Sequence, residues 1–162
     1  MEICAVLFTC LVAGLALTQA YPLHASCKVQ WSLPSVSCQS FSSKIIAQAK
    51  LWEKEDNCAG GGERCLYKIT DQSAQEIKGT HMTPVKHYVD DISFKLTPAG
   101  AGCNVEGFST SETWYAYLDY GTNYCNLENL ITGAGLNTSQ GYTETTNDNV
   151  CTQFSSHDCD KY

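Results

Sequence analysis

The sequence predicts an α+β fold: an antiparallel sheet packed by an N-terminal helix and a second short helix, disulfide-stapled, with a long irregular C-terminal segment. Three observations predict it. Short runs between residues 65 and 118 alternate apolar with polar side chains, the period of half-buried strands. Segments 41–52 and 127–131 instead repeat apolar residues at helical spacing. Eight cysteines follow an apolar leader, and an even count in that setting reads as a disulfide framework.

The leader is an apolar run from Ile3 to Leu17 followed by Thr18-Gln19-Ala20. It is too short for a membrane span, which needs about 20 apolar residues, and no basic stop-transfer flank follows. Small residues at Thr18 and Ala20 suit the positions three and one before a signal-peptidase cut. Residues 1–20 therefore read as a signal peptide and 21–162 as a single secreted, extracellular domain. Glu2 in place of a Lys or Arg makes the leader atypical. Its removal leaves 142 of the 162 residues and a net charge of −6, one acid fewer than the −7 of the whole chain.

Cys4 and Cys10 depart with the leader, leaving Cys27, Cys38, Cys58, Cys65, Cys103, Cys125, Cys151 and Cys159. Their pairing stays open, although Cys58 and Cys65 flank a glycine turn and could close it locally. No C-x-x-C pair points to zinc. A domain of this size buries about 68–70% of its unfolded surface, so bridges reinforce a core and do not replace one. The acidic balance and scattered basic residues exclude nucleic acid and anionic membrane surfaces as partners, and no stable membrane insertion is expected.

The elements follow in order. Residues 21–34 are extended, with Val29 and Trp31 alternating against Lys28 and Gln30. Ser40 is the expected N-cap of a helix whose inner face carries Phe41, Ile45, Ala49 and Trp52. That helix stops before Asn57-Cys58 and the turn at Gly60-Gly61-Gly62. Cys65, Tyr67 and Ile69 alternate against Leu66 and Lys68. Tyr88, Asp90, Ile92, Phe94 and Leu96 share the inward face of a further strand, and Thr97-Pro98-Ala99-Gly100 is a turn. Cys103, Val105 and Gly107 continue as a strand. Trp114, Ala116 and Leu118 alternate with Tyr115 and Tyr117 in another.

Asp119-Tyr120-Gly121-Thr122-Asn123 then breaks the chain direction. Gly121 is expected at positive φ, and Asp119 or Asn123 caps the helix marked by Leu127, Leu130 and Ile131. Asp90, Asp119, Gly121 and Asn123 are thus read as structural residues. Beyond Gly133 the chain is rich in Gly, Asn, Thr and Ser without periodicity, a loop pinned by Cys151 and Cys159. Asn137-Thr138-Ser139 in that loop fits the N-glycosylation acceptor, which makes the chain an expected glycoprotein.

No catalytic motif assembles. Gly107-Phe108-Ser109-Thr110-Ser111 lacks the second glycine of a nucleophile elbow. A nucleophilic Cys125 would leave an odd thiol in an oxidising compartment. His81 and His87 are separated by Thr83-Pro84 and belong to no metal motif, and Asp90-Asp91 adjacency sends the two carboxylates to opposite faces. No metal or cofactor is expected. The dense aromatic group is more informative: Trp114, Tyr115 and Tyr117 are the candidate binding residues, with Tyr120 and Tyr124 beyond them. Tyrosine combines rigid contact area with a hydroxyl, so an exposed face of this kind suits a binding platform.

Residues 88–96 (YVDDISFKL), 105–111 and 119–123 (DYGTN) occur in an order that resembles the uncharacterised DUF1499 family of bacterial and plastid proteins. Its D-D strand matches Asp90-Asp91, its S-x-S matches Ser109 and Ser111, and its D-x-G-x-N turn matches Asp119, Gly121 and Asn123. The likeness spans roughly residues 88–131. It implies an α+β sheet with a helix after the turn, and no activity. Glu112, Thr113 and Ala116 stand where that family carries arginines, and its members are not associated with eight cysteines.

Three functions follow as expectations. The first is a non-enzymatic binding or interaction protein, its partner an unknown extracellular protein or a small apolar ligand. The second is an extracellular hydrolase using Asp90 or Asp119 with His81 or His87. The third is a small carrier holding an apolar ligand between helix and sheet. A solvent-open convergence of the acids with a histidine favours the hydrolase; backbone-bonded acids favour the binder.

Overall fold

The computed structural model describes residues 24–113 and 115–162. Residues 1–23, which include the expected signal peptide, and Trp114 lie outside them. Six strands form one antiparallel sheet: β1 (Ser26–Leu33), β2 (Tyr67–Gln72), β3 (Glu76–Met82), β4 (Val89–Ala99), β5 (Gly102–Ser111) and β6 (Thr143–Thr145), in the order β2-β3-β4-β5-β1-β6. Two helices, α1 (Cys38–Leu51) and α2 (Thr122–Gly133), pack on one face of it. The fold is therefore the disulfide-stapled α+β arrangement expected.

Alternation explains which face is covered. Along β1, Cys27, Val29, Trp31 and Leu33 are buried while Lys28 and Gln30 are exposed. Along β4, Asp90, Ile92, Phe94 and Leu96 point the same way. Against them lie Phe41, Ile45 and Ala49 of α1 and Leu127, Leu130 and Ile131 of α2. Fully burying one such side chain contributes about 1.5–3 kcal/mol. Gly107 on β5 leaves space that the Trp31 indole fills, so any side chain there collides with the ring.

Several local expectations are corrected. The N-cap of α1 is Ser37, whose hydroxyl accepts the Ser40 amide at 3.2 Å, so the helix starts one turn earlier than Ser40. The hairpin after β4 turns at Gly100-Ala101, with Ala99 paired to Gly102. Pro98 stays inside the strand because β3 pairs β4 only as far as Lys95, leaving no ladder on that edge for its missing N–H to break. β3 had no counterpart among the expected strands. The chain from Tyr115 to Tyr120 is not a strand: it is irregular, and the Ala116 carbonyl accepts the Ala25 amide at the start of β1.

The N-cap of α2 is Gly121 at φ 80°, and Asn123 lies inside the helix. Asp119 supplies the capping oxygens, accepting the amides of Gly121 at 3.1 Å and Asn123 at 3.0 Å. The C-terminal segment is less free than its composition suggests. β6 pairs with β1, and Glu144 on it accepts hydrogen bonds from Trp31 Nε1, the Tyr124 hydroxyl and the Tyr142 hydroxyl.

The disulfides are Cys27–Cys151, Cys38–Cys103, Cys58–Cys65 and Cys125–Cys159. The first and last fasten the C-terminal segment to β1 and to α2. Among the described residues no helix is long and apolar enough to cross a membrane.

Candidate functional site

Towards one end of β4 and β5 the covered face of the sheet changes from apolar to polar. Asp90, Ser109 and Ser111 replace the isoleucine, phenylalanine and valine of the core. The start of α2 answers them with Asn123 and Asn126, one helical turn apart and both buried. Polar groups taken out of water need partners, and here they find each other. Asn126 Nδ2 donates to Asp90 Oδ2 at 2.7 Å and to Ser109 Oγ at 3.2 Å. The Ser109 hydroxyl donates to Asn123 Oδ1 at 2.6 Å, and Asn123 Nδ2 donates to Asp119 Oδ2 at 2.9 Å. One network therefore ties the sheet end, the turn and the helix start together.

Above this network lies a cleft of about 680 Å³. Tyr88, Tyr115, Tyr117 and Tyr120 line it together with Glu63, Asp90 and Asp119. Tyr115 and Tyr117 are 56% and 59% exposed, so the C-terminal segment does not cover them. Tyr120 sits at φ 56° and is held there from the tail: Gln153 Oε1 accepts both the Asp119 and Tyr120 amides, at 2.9 and 2.8 Å. Its ring stacks on Tyr162, centroids 6.4 Å apart.

Burial pushes the Asp90 and Asp119 carboxyls above the usual carboxylate range, against the stabilising hydrogen bonds each accepts. Glu63 is pushed up to about 7, by burial first and then by the charge of Asp90. Its Oε2 is buried with no hydrogen-bond partner among the described residues.

The histidines do not join the cleft. His81 lies opposite Asp90 in the β3–β4 register but is 1% exposed, its ring 4.4 Å from that of Tyr67. A carbonyl can only accept, so the 2.8 Å contact with the Glu63 carbonyl puts the proton on Nε2. Burial lowers its pKa to about 4, keeping it neutral at pH 7. His87 stands on the exposed turn between β3 and β4. The two acids thus share one cleft while both histidines remain outside its lining. Among the described residues, no three His, Cys, Asp or Glu side chains are arranged to hold a metal ion.

Of the sequence candidates, the structure gathers Asp90, Asp119, Tyr115 and Tyr117 around the cleft, with Gly121 and Asn123 shaping the turn beneath it. Trp114 lies outside the described residues. Sequence reasoning missed Asn126 and Asn129, although Asn123 with Asn126, and Asn126 with Asn129, are three residues apart and so are neighbours on the helix surface. It also missed Glu63. Nothing local marks that residue; the loop closed by Cys58–Cys65 delivers it to the cleft.

The chain matches no known family model, no curated protein and no solved structure. Function is therefore read from the geometry of the cleft.

Proposed function

We propose that the chain is a secreted, non-enzymatic binding protein whose ligand lies in the tyrosine-walled cleft. The cleft itself carries this reading. Its volume falls in the roughly 300–1,000 Å³ typical of small-molecule sites, and its lining combines several tyrosines with a few polar groups. The acids support binding rather than turnover, because Asp119 is committed to backbone amides and Asp90 to a buried amide. A hydrolytic Asp/His pair would need a histidine facing the cleft, and His81 is packed against Tyr67 instead. A carrier cavity between helix and sheet is also disfavoured, since Phe41, Ile45, Trp31 and Phe94 fill that space. The four disulfides suit an extracellular location.

The test is a thermal-shift screen with small amphiphilic molecules, run on the parent and on a Tyr88→Ala/Tyr117→Ala variant. A ligand at about 100 times its Kd adds roughly 2.7 kcal/mol to stability. Ligands that raise the melting temperature of the parent and leave the variant unmoved support the cleft. Equal stabilisation of both proteins places the ligand elsewhere. Chemical conversion of a bound molecule, lost in Asp90→Asn, would overturn the non-enzymatic reading.

A further inference from the structure

We propose that the cleft selects a small organic cation, an ammonium group carried on an aromatic or apolar body. The inference rests on the cleft being a ligand site and specifies the ligand's chemistry.

Charge complementarity is the first support. Three acid side chains, Glu63, Asp90 and Asp119, line the cleft against a single basic one, Lys86. Asp119 and Glu63 each keep an acceptor site beyond the bonds they already make. Asp119 accepts three hydrogen bonds from Gly121 and Asn123, and a carboxylate offers about four acceptor sites. Glu63 Oε2 accepts none among the described residues although it is buried. A buried acceptor without a donor is costly, and a rotation of Glu63 that brings this oxygen to a ligand N–H relieves that cost.

The walls supply the second support. Tyr88, Tyr117 and Tyr120 line the cleft, and the negative face of an aromatic ring attracts a cation held over it. The chain already does this at the cleft's edge. Lys161 Nζ stands 4.7 Å from the centroid of Tyr162, the ring that stacks on Tyr120 and itself lines the cleft. The Lys161 charge also acts favourably on Glu63. An ammonium from the chain itself thus already stands over an aromatic ring at the cleft's edge.

Size decides between a metal ion and an organic cation. The carboxylates are distributed around a space of about 680 Å³ and do not form a metal-holding group among the described residues. A point ion cannot touch acid and tyrosine walls together. A cation with an aromatic body can, its ammonium at the carboxylates and its ring between the tyrosines. The net charge of −7 also favours the approach of cations over anions.

The experiment is calorimetric titration of the disulfide-bonded protein with three probes of matched shape: phenethylammonium, phenethyl alcohol and hydrocinnamate. The cation should bind at least about tenfold more tightly than the alcohol, as expected for one charge-assisted hydrogen bond, and the anion should give no binding heat. Glu63→Gln should weaken the cation and spare the alcohol. Lys161→Met, which removes the resident ammonium from an exposed position, should tighten the cation. Asp90→Asn gives a second acid variant if Glu63→Gln folds poorly. Equal affinity for cation and alcohol would overturn the cation preference while leaving the cleft as a site for neutral ligands. Failure of all three probes would also overturn it, and the screen described above would then judge the cleft separately.

Discussion

Replacing Gly121 by alanine should destabilise the protein through two effects that a control can separate. Gly121 lies at φ 80°, a conformation that costs an L-residue about 1–2 kcal/mol. An added Cβ would also stand 2.6 Å from Cβ and 2.7 Å from Cα of His157, closer than carbon atoms pack. Because one of these atoms is backbone, the tail must move, and overpacking of this kind costs a further ~1–3 kcal/mol. Gly100 provides the control, with φ 62° and nothing within 4 Å of an added Cβ. Gly100→Ala should therefore carry the conformational cost alone. A domain of this size loses about 2–4 °C of melting temperature per kcal/mol. Gly121→Ala should then melt roughly 4–20 °C below the parent, and Gly100→Ala only about 2–8 °C below. The assay is thermal denaturation followed by circular dichroism, with disulfides intact and alkylation showing no free thiol. Equal losses in the two variants would refute the packing of the tail against the turn.

Three further outcomes follow. Burial holds Glu128 up at about 7 from an ordinary 4.5, opposed by the Thr132 hydrogen bond and reinforced by the Glu144 carboxylate. The raised folded-state value means its stabilising contribution is present below about 4.5 and is lost as pH rises through 7. Glu128→Gln should therefore gain melting temperature over the parent at pH 8 and lose that gain at pH 5; the same difference at both pH values would contradict this. His81 has the opposite sign: lowered to about 4 from 6.5, it destabilises the fold as pH falls between those values, and nitrogen NMR should show a neutral Nε2–H ring at pH 5.5. Finally, Asn137 in a eukaryotic secretory route should carry glycan, seen as a mobility change after peptide N-glycosidase treatment; its side chain is partly exposed in the loop after α2.

The legible parts of the fold were those where one local rule acts alone. Val29 and Trp31 alternate against Lys28 and Gln30, and that alternation suffices to place β1 on a one-sided sheet. Phe41, Ile45 and Ala49 likewise define the buried stripe of α1. β3 was illegible because Gly79 interrupts its apolar alternation at a buried position, where the backbone of β2 approaches closely. The 115–118 stretch alternates like a strand yet is none, because β4 already occupies the other side of β5 and the Ala116 carbonyl bonds to the edge of β1 instead. At the cleft, the tyrosines and Asp119 were visible as a local cluster. Glu63 and Tyr162 reach it only through the Cys58–Cys65 loop and the Cys125–Cys159 tether, pairings the spacing left unspecified.

The most direct measurement of the central claim is amide chemical-shift mapping of the protein during titration with phenethylammonium. The account predicts saturable shifts confined to the amides around Tyr88, Asp90, Tyr117, Asp119, Tyr120 and Thr122, which border the cleft on the helix-covered side of the sheet. Shifts centred instead on the opposite face, at Lys28, Glu106 and Phe108, would contradict it, as would a titration that moves no amide at all.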